Sequence, residues 1–304
     1  MKIHFSNVNF SSRSGPNTFG TRLAKQFLKM GHEVVDHNEA YDVFLAFIEP
    51  ATKPRSGSKF IHRLDGIWFK PDQFHTHNKG IKLAYDNADK CIWISEFNRS
   101  MSAHYWGEKP GSVINNGIEL IEVKILDEQI KNLRNKYNKI FVSSANWHRQ
   151  KRLKENIECF KLLQEKNNNS CLLIMGSHPD HVVNDPNIFY TNNLPHDLCL
   201  QVFSAADWMI HLAWLDHCPN AVVEGMSQKC GIICASSGGT KEAVGKNGIV
   251  VEENEEYKYQ LADYDNPPQI DFSNIILPEN IEIDNSILDI KTIAEKYLET
   301  IESV

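Results

Sequence analysis

The sequence lacks any long apolar run, and no stretch approaches the ~18 residues that a membrane-spanning helix needs. It also lacks an excess of positive charge, because 39 acidic residues outnumber 32 Lys and Arg, giving a formal net charge of −7. Without a basic field, binding of nucleic acid or an anionic membrane through counterion release is disfavoured. We therefore expect no transmembrane segment and no nucleic-acid partner.

The cysteines lack the pattern of a disulfide framework. Seven is an odd number, and the cysteines are scattered and mostly set in apolar runs. This usage is typical of buried free thiols in a reducing compartment. Since the chain also opens directly on a strand pattern, we expect a cytoplasmic protein.

Short β-rich runs alternate with helical stretches along the chain, which is the pattern of repeated βαβ units and predicts an α/β fold with parallel sheets. A length of 304 residues favours two domains of about 150 residues each. The first half contains predicted strands near 2–5, 33–36, 42–47, 59–63, 90–94 and 112–115. A second series begins at 140–142 and continues through 172–175, 188–190, 208–210 and 231–234. We predict two Rossmann-like halves in tandem.

A charged stretch without strand signals separates the two series and indicates the domain boundary. We predict a first domain over 1–120, a linker over 121–138, and a second domain over 139–265. Residues 266–304 form a polar tail that ends in a helix packed back on the body. No short repeat and no low-complexity tract interrupts this plan.

The carboxyl ends of parallel strands gather ligands, so the loops that leave the strands are the candidate sites. Asp216 and Glu224 bracket a predicted helix start after one strand. Free amides there, with the positive end of the helix dipole, suit a phosphate, and a carboxylate suits sugar hydroxyls. Two alternatives stay open: Asp216 as a helix cap and Glu224 as an exposed helical acid.

Two further loops carry small or basic residues. Gly238, Gly239 and Thr240 lie between a buried strand and a helix, where glycines permit close approach to the backbone, or simply a turn. The segment from Asn146 to Arg152 contains Arg149 and Lys151 and leaves the first strand of the second half. Its cations suit a diphosphate, although a solvated helix start has the same composition.

The first half offers two weaker candidates. His62 and Asp65 lie at a strand end, in Arg63-Leu64-Asp65-Gly66, where they face a ligand or make a turn. Gly15 belongs to the segment 12–20 that follows the first strand. That segment does not form the G-x-G-x-x-G dinucleotide fingerprint, which argues against a nicotinamide cofactor.

Taken in order, these segments resemble retaining glycosyltransferases of the two-domain GT-B architecture, glycosyltransferase family 4, also called glycosyl transferases group 1. That family carries a Glu-x7-Glu motif followed by a Gly-Gly-x-x-Glu turn. Asp216 to Glu224 and Gly238 to Glu242 match the two motifs. Asp216 departs from the pattern, because it is one methylene shorter than the usual Glu.

The resemblance implies an interdomain cleft that holds a nucleotide sugar. It implies that Glu224 holds the donor ribose, that Asp216 lies beside the transferred sugar, and that the amides of Asn220 and Ala221 face the sugar or diphosphate. Lys151 matches the family's diphosphate-binding Lys. The paired Arg is missing, since Asn146 stands there, and either Arg149 or Arg152 has to replace it.

We therefore expect transfer of a hexose from a UDP- or GDP-sugar to an unidentified hydroxyl acceptor, on a glycan, a lipid-linked carrier or a protein. The anomeric configuration is expected to be retained, with no cofactor and no metal. The histidines of His178-Pro179-Asp180-His181 lack a third ligand at suitable spacing. A sugar-nucleotide epimerase of the same fold and a non-catalytic nucleotide-sugar or glycan-binding protein are the alternatives.

Overall fold

The chain folds into two parallel β-sheets of six strands each, flanked by helices. The structure, a computed structural model, describes residues 1–12, 14–278 and 281–304. Arg13, in the segment 12–20, and Glu279 and Asn280, in the predicted tail, lie outside the described residues. The predicted α/β class with two tandem Rossmann-like units is confirmed.

The strands of the first sheet are β1 (Lys2–Ser6), β2 (Glu33–Val34), β3 (Val43–Phe47), β4 (Lys59–Leu64), β5 (Lys90–Trp93) and β6 (Gly111–Val113). Those of the second sheet are β7 (Lys139–Ser144), β8 (Ser170–Met175), β9 (Ile188–Asn192), β10 (Trp208–His211), β11 (Gly231–Ala235) and β12 (Gly248–Val251).

The helices are α1 (Gly15–Lys29), α2 (Phe74–His77), α3 (Lys79–Asn87), α4 (Glu96–Trp106), α5 (Glu128–Lys136), α6 (Leu153–Lys166), α7 (His196–Ala205), α8 (Asn220–Ser227), α9 (Thr240–Val244) and α10 (Ile290–Glu302). Short 3₁₀ turns cover Arg149–Lys151, Gly245–Asn247 and Ser286–Leu288.

Strand order creates a switch point in the second sheet. The order is β12-β11-β10-β7-β8-β9. Strands β8 and β9 follow β7 on one side, whereas β10, β11 and β12 lie on its other side, and the order reverses between β7 and β10. β7 and β10 pair directly, with Phe141 opposite Trp208. The loops that leave these two adjacent strands diverge to opposite faces and leave a crevice at their carboxyl ends.

The second sheet is buried on both faces, which explains its continuous apolar strands. Alternate residues enter different cores: Val142 and Ile232 pack with α7 and α8, whereas Phe141 and Ile233 pack with α6. Burying each such side chain contributes about 1.5–3 kcal/mol. The sheet is therefore a rigid base for the loops above it.

Helix α1 packs on the first sheet through Phe19, Leu23 and Phe27, all fully buried. The helix ends at Lys29, and Gly31 just beyond it has a left-handed φ of +85. Glycine adopts this conformation without the penalty that a Cβ imposes.

The predicted tail 266–304 ends in helix α10, and a 3₁₀ turn precedes it. Ile287 lies in the 3₁₀ turn, and α10 begins at Ile290 because the Asp289 carboxylate accepts a bond from the Lys291 amide and caps it. Its buried face, including Tyr297, packs in the core of the first sheet together with α1. The C-terminal segment therefore returns to the N-terminal half.

Helix α5 was not predicted and lies inside the stretch 121–138 that we interpreted as a linker. The Asp127 carboxylate caps it by accepting from the amides of Gln129 and Ile130. Ile130 and the following Tyr137 pack in the core of the second sheet. Because most of the helix surface is charged and solvated, its sequence resembles a linker.

Candidate active site

An ion pair at the switch point joins the loops after β7 and β10. The Lys151 Nζ lies 2.5 Å from Oδ2 of Asp216, and their side chains are 21% and 16% exposed. Lys151 closes the 3₁₀ turn that follows β7, and Asp216 follows β10 by five residues. Two residues 65 apart in sequence thus form one ion pair.

Asp216 has two further partners. Its Oδ2 lies 3.3 Å from Nε2 of His211, and its Oδ1 accepts a bond of 3.0 Å from the amide of His217. Burial by itself raises the pKa of Asp216, but the charge of Lys151 and the hydrogen bond from His211 outweigh it and the pKa is lowered. The carboxylate is therefore ionised at neutral pH, in a fixed orientation.

Helix α8 begins beside this pair. Its N-cap residue is Pro219, so Asp216 does not cap the helix. The amides of Asn220 and Ala221 lie in the first turn, where a helix has no acceptors of its own and carries its positive dipole end. The Asn220 side chain donates to the carbonyl of Gly15 at 2.8 Å and thereby brings the first loop of the N-terminal half against the helix start.

Glu224, one turn along α8, is not an exposed helical acid. Its Oε1 lies 2.5 Å from Nη2 of Arg22 and 3.2 Å from Nε2 of His196, and the carboxylate side chain is only 12% exposed. Burial alone raises the pKa of Glu224, but the hydrogen bond from His196 and the charge of Arg22 prevail and lower it. Arg22 belongs to α1, so this contact crosses between the two halves.

The glycine turn supports the Asp216 loop through backbone contacts. Gly238 has φ +92, and a Cβ there would lie 2.6 Å from the Asp216 carbonyl oxygen. The Gly239 amide donates to the same oxygen at 2.8 Å. The backbone of Asp216, rather than a ligand, therefore occupies the space that these two glycines leave open. Thr240 starts α9 and has a buried Oγ1 without a hydrogen-bond partner among the described residues.

Glu242, which ends the turn motif, connects the two halves. Its carboxylate accepts bonds of 2.5 and 2.8 Å from the amides of Glu96 and Phe97, at the start of α4 in the N-terminal half. An acid at a helix N-terminus satisfies free amides and complements the dipole. No role was predicted for Glu242 from the sequence.

The basic residues near Lys151 have different surroundings. Arg152 is fully buried and binds Glu253 together with the carbonyls of Leu212 and Pro268. Arg149 pairs with Glu155 at 2.8 Å. Asn146 accepts a bond of 2.8 Å from Ser177. The geometry therefore gives Arg152 a structural role, because its charge is neutralised inside the fold.

The two candidate residues on and just after β4, His62 and Asp65, also have different surroundings. His62 is fully buried, its Nε2 lies 2.6 Å from the Ile48 carbonyl oxygen, and burial lowers its pKa to about 4. It does not face the cleft.

Asp65 forms an ion pair with the buried Arg63, which also donates to the Asn116 side chain at 2.7 Å. Asn116 in turn donates to the Cys218 carbonyl, so this network holds the Asp216 loop from the N-terminal side.

A cavity of about 740 Å³ lies between the two halves. The predicted donor-binding residues that line it are Gly15, Asn146, Asn220, Ala221 and Glu224. The cavity is also lined by three residues that were not predicted from the sequence: Arg22, Lys25 and His196. No sequence pattern marks these residues as site residues, because single Arg, Lys and His residues on helices are common on protein surfaces.

The described residues include no group of three or more His, Cys, Asp or Glu side chains placed to hold a metal ion. Independence from metals and cofactors stays a prediction. Of the helices within the described ranges, none combines the length and apolar character needed to cross a bilayer.

Comparison with known proteins supports the family resemblance that the sequence motifs indicated. Residues 136–263 match the family model described as Glycosyl transferases group 1. No curated protein matches the sequence. Among solved structures, Anabaena Alr3699/HepE is 17% identical with a TM-score of 0.67 and full coverage of both chains.

Two further structures are similar at lower identity. Sucrose-phosphate synthase from Thermosynechococcus elongatus is 11% identical, with a TM-score of 0.62 over 100% of this chain and 94% of its own. AviGT4, a glycosyltransferase involved in avilamycin A biosynthesis, is 13% identical, with a TM-score of 0.60 over 99% and 97%. At such identities these likenesses show the fold.

The fold and the matched family together define the class of this protein, a glycosyltransferase of the GT-B fold. Its residues 136–263 match the family model of the Glycosyl transferases group 1, which confirms the resemblance drawn from the motifs. The finer assignment to family 4 stays a prediction.

Proposed function

We propose that the protein transfers a hexose from a UDP- or GDP-sugar to an acceptor hydroxyl, with retention of the anomeric configuration and without a metal ion. The observation that carries this proposal is the Lys151–Asp216 ion pair at the switch point, 2.5 Å long and beside the start of α8. A fixed cation beside a fixed carboxylate supports a site in which Lys151 binds the diphosphate and Asp216 binds the sugar.

Lys151 suits the leaving group. An ammonium has three donors, so Lys151 can keep its contact with Asp216 and also bind oxygens of a diphosphate. Negative charge develops on the β-phosphate as it leaves, and a preorganised cation in a partly buried site stabilises it. The first-turn amides of Asn220 and Ala221 would also donate hydrogen bonds to the diphosphate and help to stabilise its charge.

The large cavity suits the nucleotide. Its volume of about 740 Å³ is within the usual range for ligand sites. We assign the ribose to Glu224, whose Oε2 makes no hydrogen bond with the described residues, and the sugar hydroxyls to Asp216. Since Anabaena Alr3699/HepE is described in complex with UDP-glucose, UDP-sugars are the first donors to test.

The reaction balances without a further reactant. The acceptor oxygen attacks the anomeric carbon from the face that the diphosphate leaves. The bond from that carbon to the β-phosphate oxygen breaks, and the acceptor proton passes to the departing phosphate. Contacts between the halves at Asn220 and Glu242 exclude water and align the reactants. Asp65 is proposed to orient the acceptor at the cleft edge, and buried His62 has no part in this scheme.

The test begins with binding and proceeds to product. Thermal shifts with UDP, GDP, ADP and their sugars identify the nucleotide, and release of nucleoside diphosphate from the matching sugars measures turnover. We expect release, with the free sugar first appearing by NMR in the anomeric form of the donor. Inverted sugar refutes retention. Epimerised donor indicates the epimerase, and binding without turnover of any donor indicates a binding protein.

A further inference from the structure

Arg22 of the N-terminal half and Glu224 of the C-terminal half share one contact inside the cavity. Their side chains are 14% and 12% exposed, and Nη2 of Arg22 lies 2.5 Å from Oε1 of Glu224. His196 approaches the same oxygen at 3.2 Å. Both partners therefore engage Oε1.

The other carboxylate oxygen is left for a ligand. Oε2 of Glu224 makes no hydrogen bond with the described residues, and Glu224 lines the cavity of about 740 Å³. A carboxylate held at one oxygen loses its freedom to rotate, so the second oxygen keeps one direction. This is the arrangement that binds a hydroxyl with little further loss of side-chain entropy.

Arg22 has unused capacity as well. Its Nη1 is buried and has no hydrogen-bond partner among the described residues. An unpaired buried donor costs free energy, which an oxygen of a bound ligand would recover. Arg22 lines the same cavity as Glu224, so one ligand can reach both groups.

We propose that Arg22 is a positioning residue for the nucleotide ribose: it fixes Glu224 through Oε1 so that Oε2 accepts from a ribose hydroxyl. The inference rests on the proposed function, in which Glu224 holds the ribose. It adds that the ribose site is complete only when α1 of the N-terminal half closes on α8. Nucleotide affinity is thus coupled to closure of the cleft.

The experiment uses the intact chain and calorimetric titration with UDP, or with GDP or ADP if one of these binds more tightly. The same titrations are made with the 2′-deoxy and 3′-deoxy forms. Arg22→Gln is expected to weaken binding of the ribonucleotide about 10–100-fold, the range for a hydrogen bond to a charged group. For one of the deoxy forms, wild type and variant should bind equally, because the hydroxyl that Glu224 accepts from is gone. Arg22→Lys should restore part of the loss.

Lys25→Gln is the matched comparison, since it removes the same charge from the same helix at a residue that also lines the cavity without contacting Glu224. If it reproduces the loss, general charge attraction explains the effect and the inference is overturned. Equal losses for ribo- and both deoxynucleotides also overturn it, as does an unchanged Arg22→Gln affinity. If wild type binds none of the three nucleotides, the proposed function fails, and this inference fails with it.

Discussion

Lys151 and Arg152 are neighbours in the chain, yet they have opposite surroundings. Lys151 is 21% exposed and pairs with Asp216, whereas Arg152 and its partner Glu253 are 0% and 1% exposed. We predict that Lys151→Met abolishes nucleotide binding with little loss of stability. Arg152→Met should lower stability strongly and leave nucleotide binding intact.

The magnitudes follow from burial. Arg152→Met leaves Glu253 as an uncompensated buried charge and removes the donors to two carbonyls, and breaking such a pair costs about 3–5 kcal/mol. Each kcal/mol shifts Tm by roughly 2–4 °C in domains of 150–250 residues, so a fall of roughly 6–20 °C is expected. In Lys151→Met the partly buried Asp216 carboxylate keeps its contacts with His211 and the His217 amide, so the loss should be only about 1–2 kcal/mol.

The assay is thermal unfolding with and without the nucleotide identified above. A ligand at 100 times its Kd adds about 2.7 kcal/mol of stability, and this gain should vanish in Lys151→Met and persist in Arg152→Met. Turnover of the donor should fall about 10²–10³-fold in Lys151→Met, the usual effect of removing one stabilising group. Lys154→Met is the control, because Lys154 is exposed and, among the described residues, pairs only with Glu158 one turn away.

Two results would refute the reasoning. A stable Arg152→Met protein that no longer binds nucleotide would show that Arg152 supplies the second diphosphate cation. A Lys151→Met protein that keeps the full nucleotide-induced rise in Tm would show that the ammonium does not contact the diphosphate.

Three other perturbations separate the roles of nearby groups. Asp216→Asn should lower donor turnover about 100-fold while nucleotide affinity measured by calorimetry stays equal or tightens, because Lys151 is released; a parallel loss of affinity would place Asp216 on the nucleotide instead. Glu242→Gln should lower the free energy of unfolding in urea by about 1–2 kcal/mol, since the α4 amides lose charged acceptors, and an unchanged value would mean that this contact between the halves adds nothing. The folded pKa of His62 is about 4, below its ordinary value of 6.5, so its contribution to stability is complete above pH 6.5 and is lost as pH falls through that window. His62→Asn should therefore reduce the loss between pH 6.5 and 5 by about 2 kcal/mol in denaturant titrations, and an identical pH slope in both proteins would contradict the buried neutral histidine.

Much of the fold could be predicted because parallel strands buried on both faces are continuous apolar runs. The runs near 42–47 and 208–210, for example, correspond to β3 and β10. Motif spacing also predicted that Lys151 and Asp216 lie close together, and they form an ion pair. Lys151 and Asp216 follow strands of one βαβ series, and the chirality and order of such a series bring their loops to one crevice.

The burial of Arg152 and of His62 could not be predicted, because it depends on contacts with residues far away in the sequence. Arg149, Lys151 and Arg152 have similar sequence signals, and only the position of Glu253, 101 residues away from Arg152, decides that this guanidinium is internal. His62 lies near the carboxyl end of β4, where a site residue is expected, but neighbouring elements bury it completely. Burial of a polar group is a property of what packs on it.

The sequence by itself determined two parallel sheets, the loops at their carboxyl ends, and the acids and lysine that those loops carry. Only the tertiary structure decided how the two halves meet. Arg22 reaches Glu224 across 202 residues, and Glu242 caps a helix 145 residues before it. Such contacts arise because closing the cleft buries charges that must find partners, and no periodicity along one chain segment records which partner the other half provides.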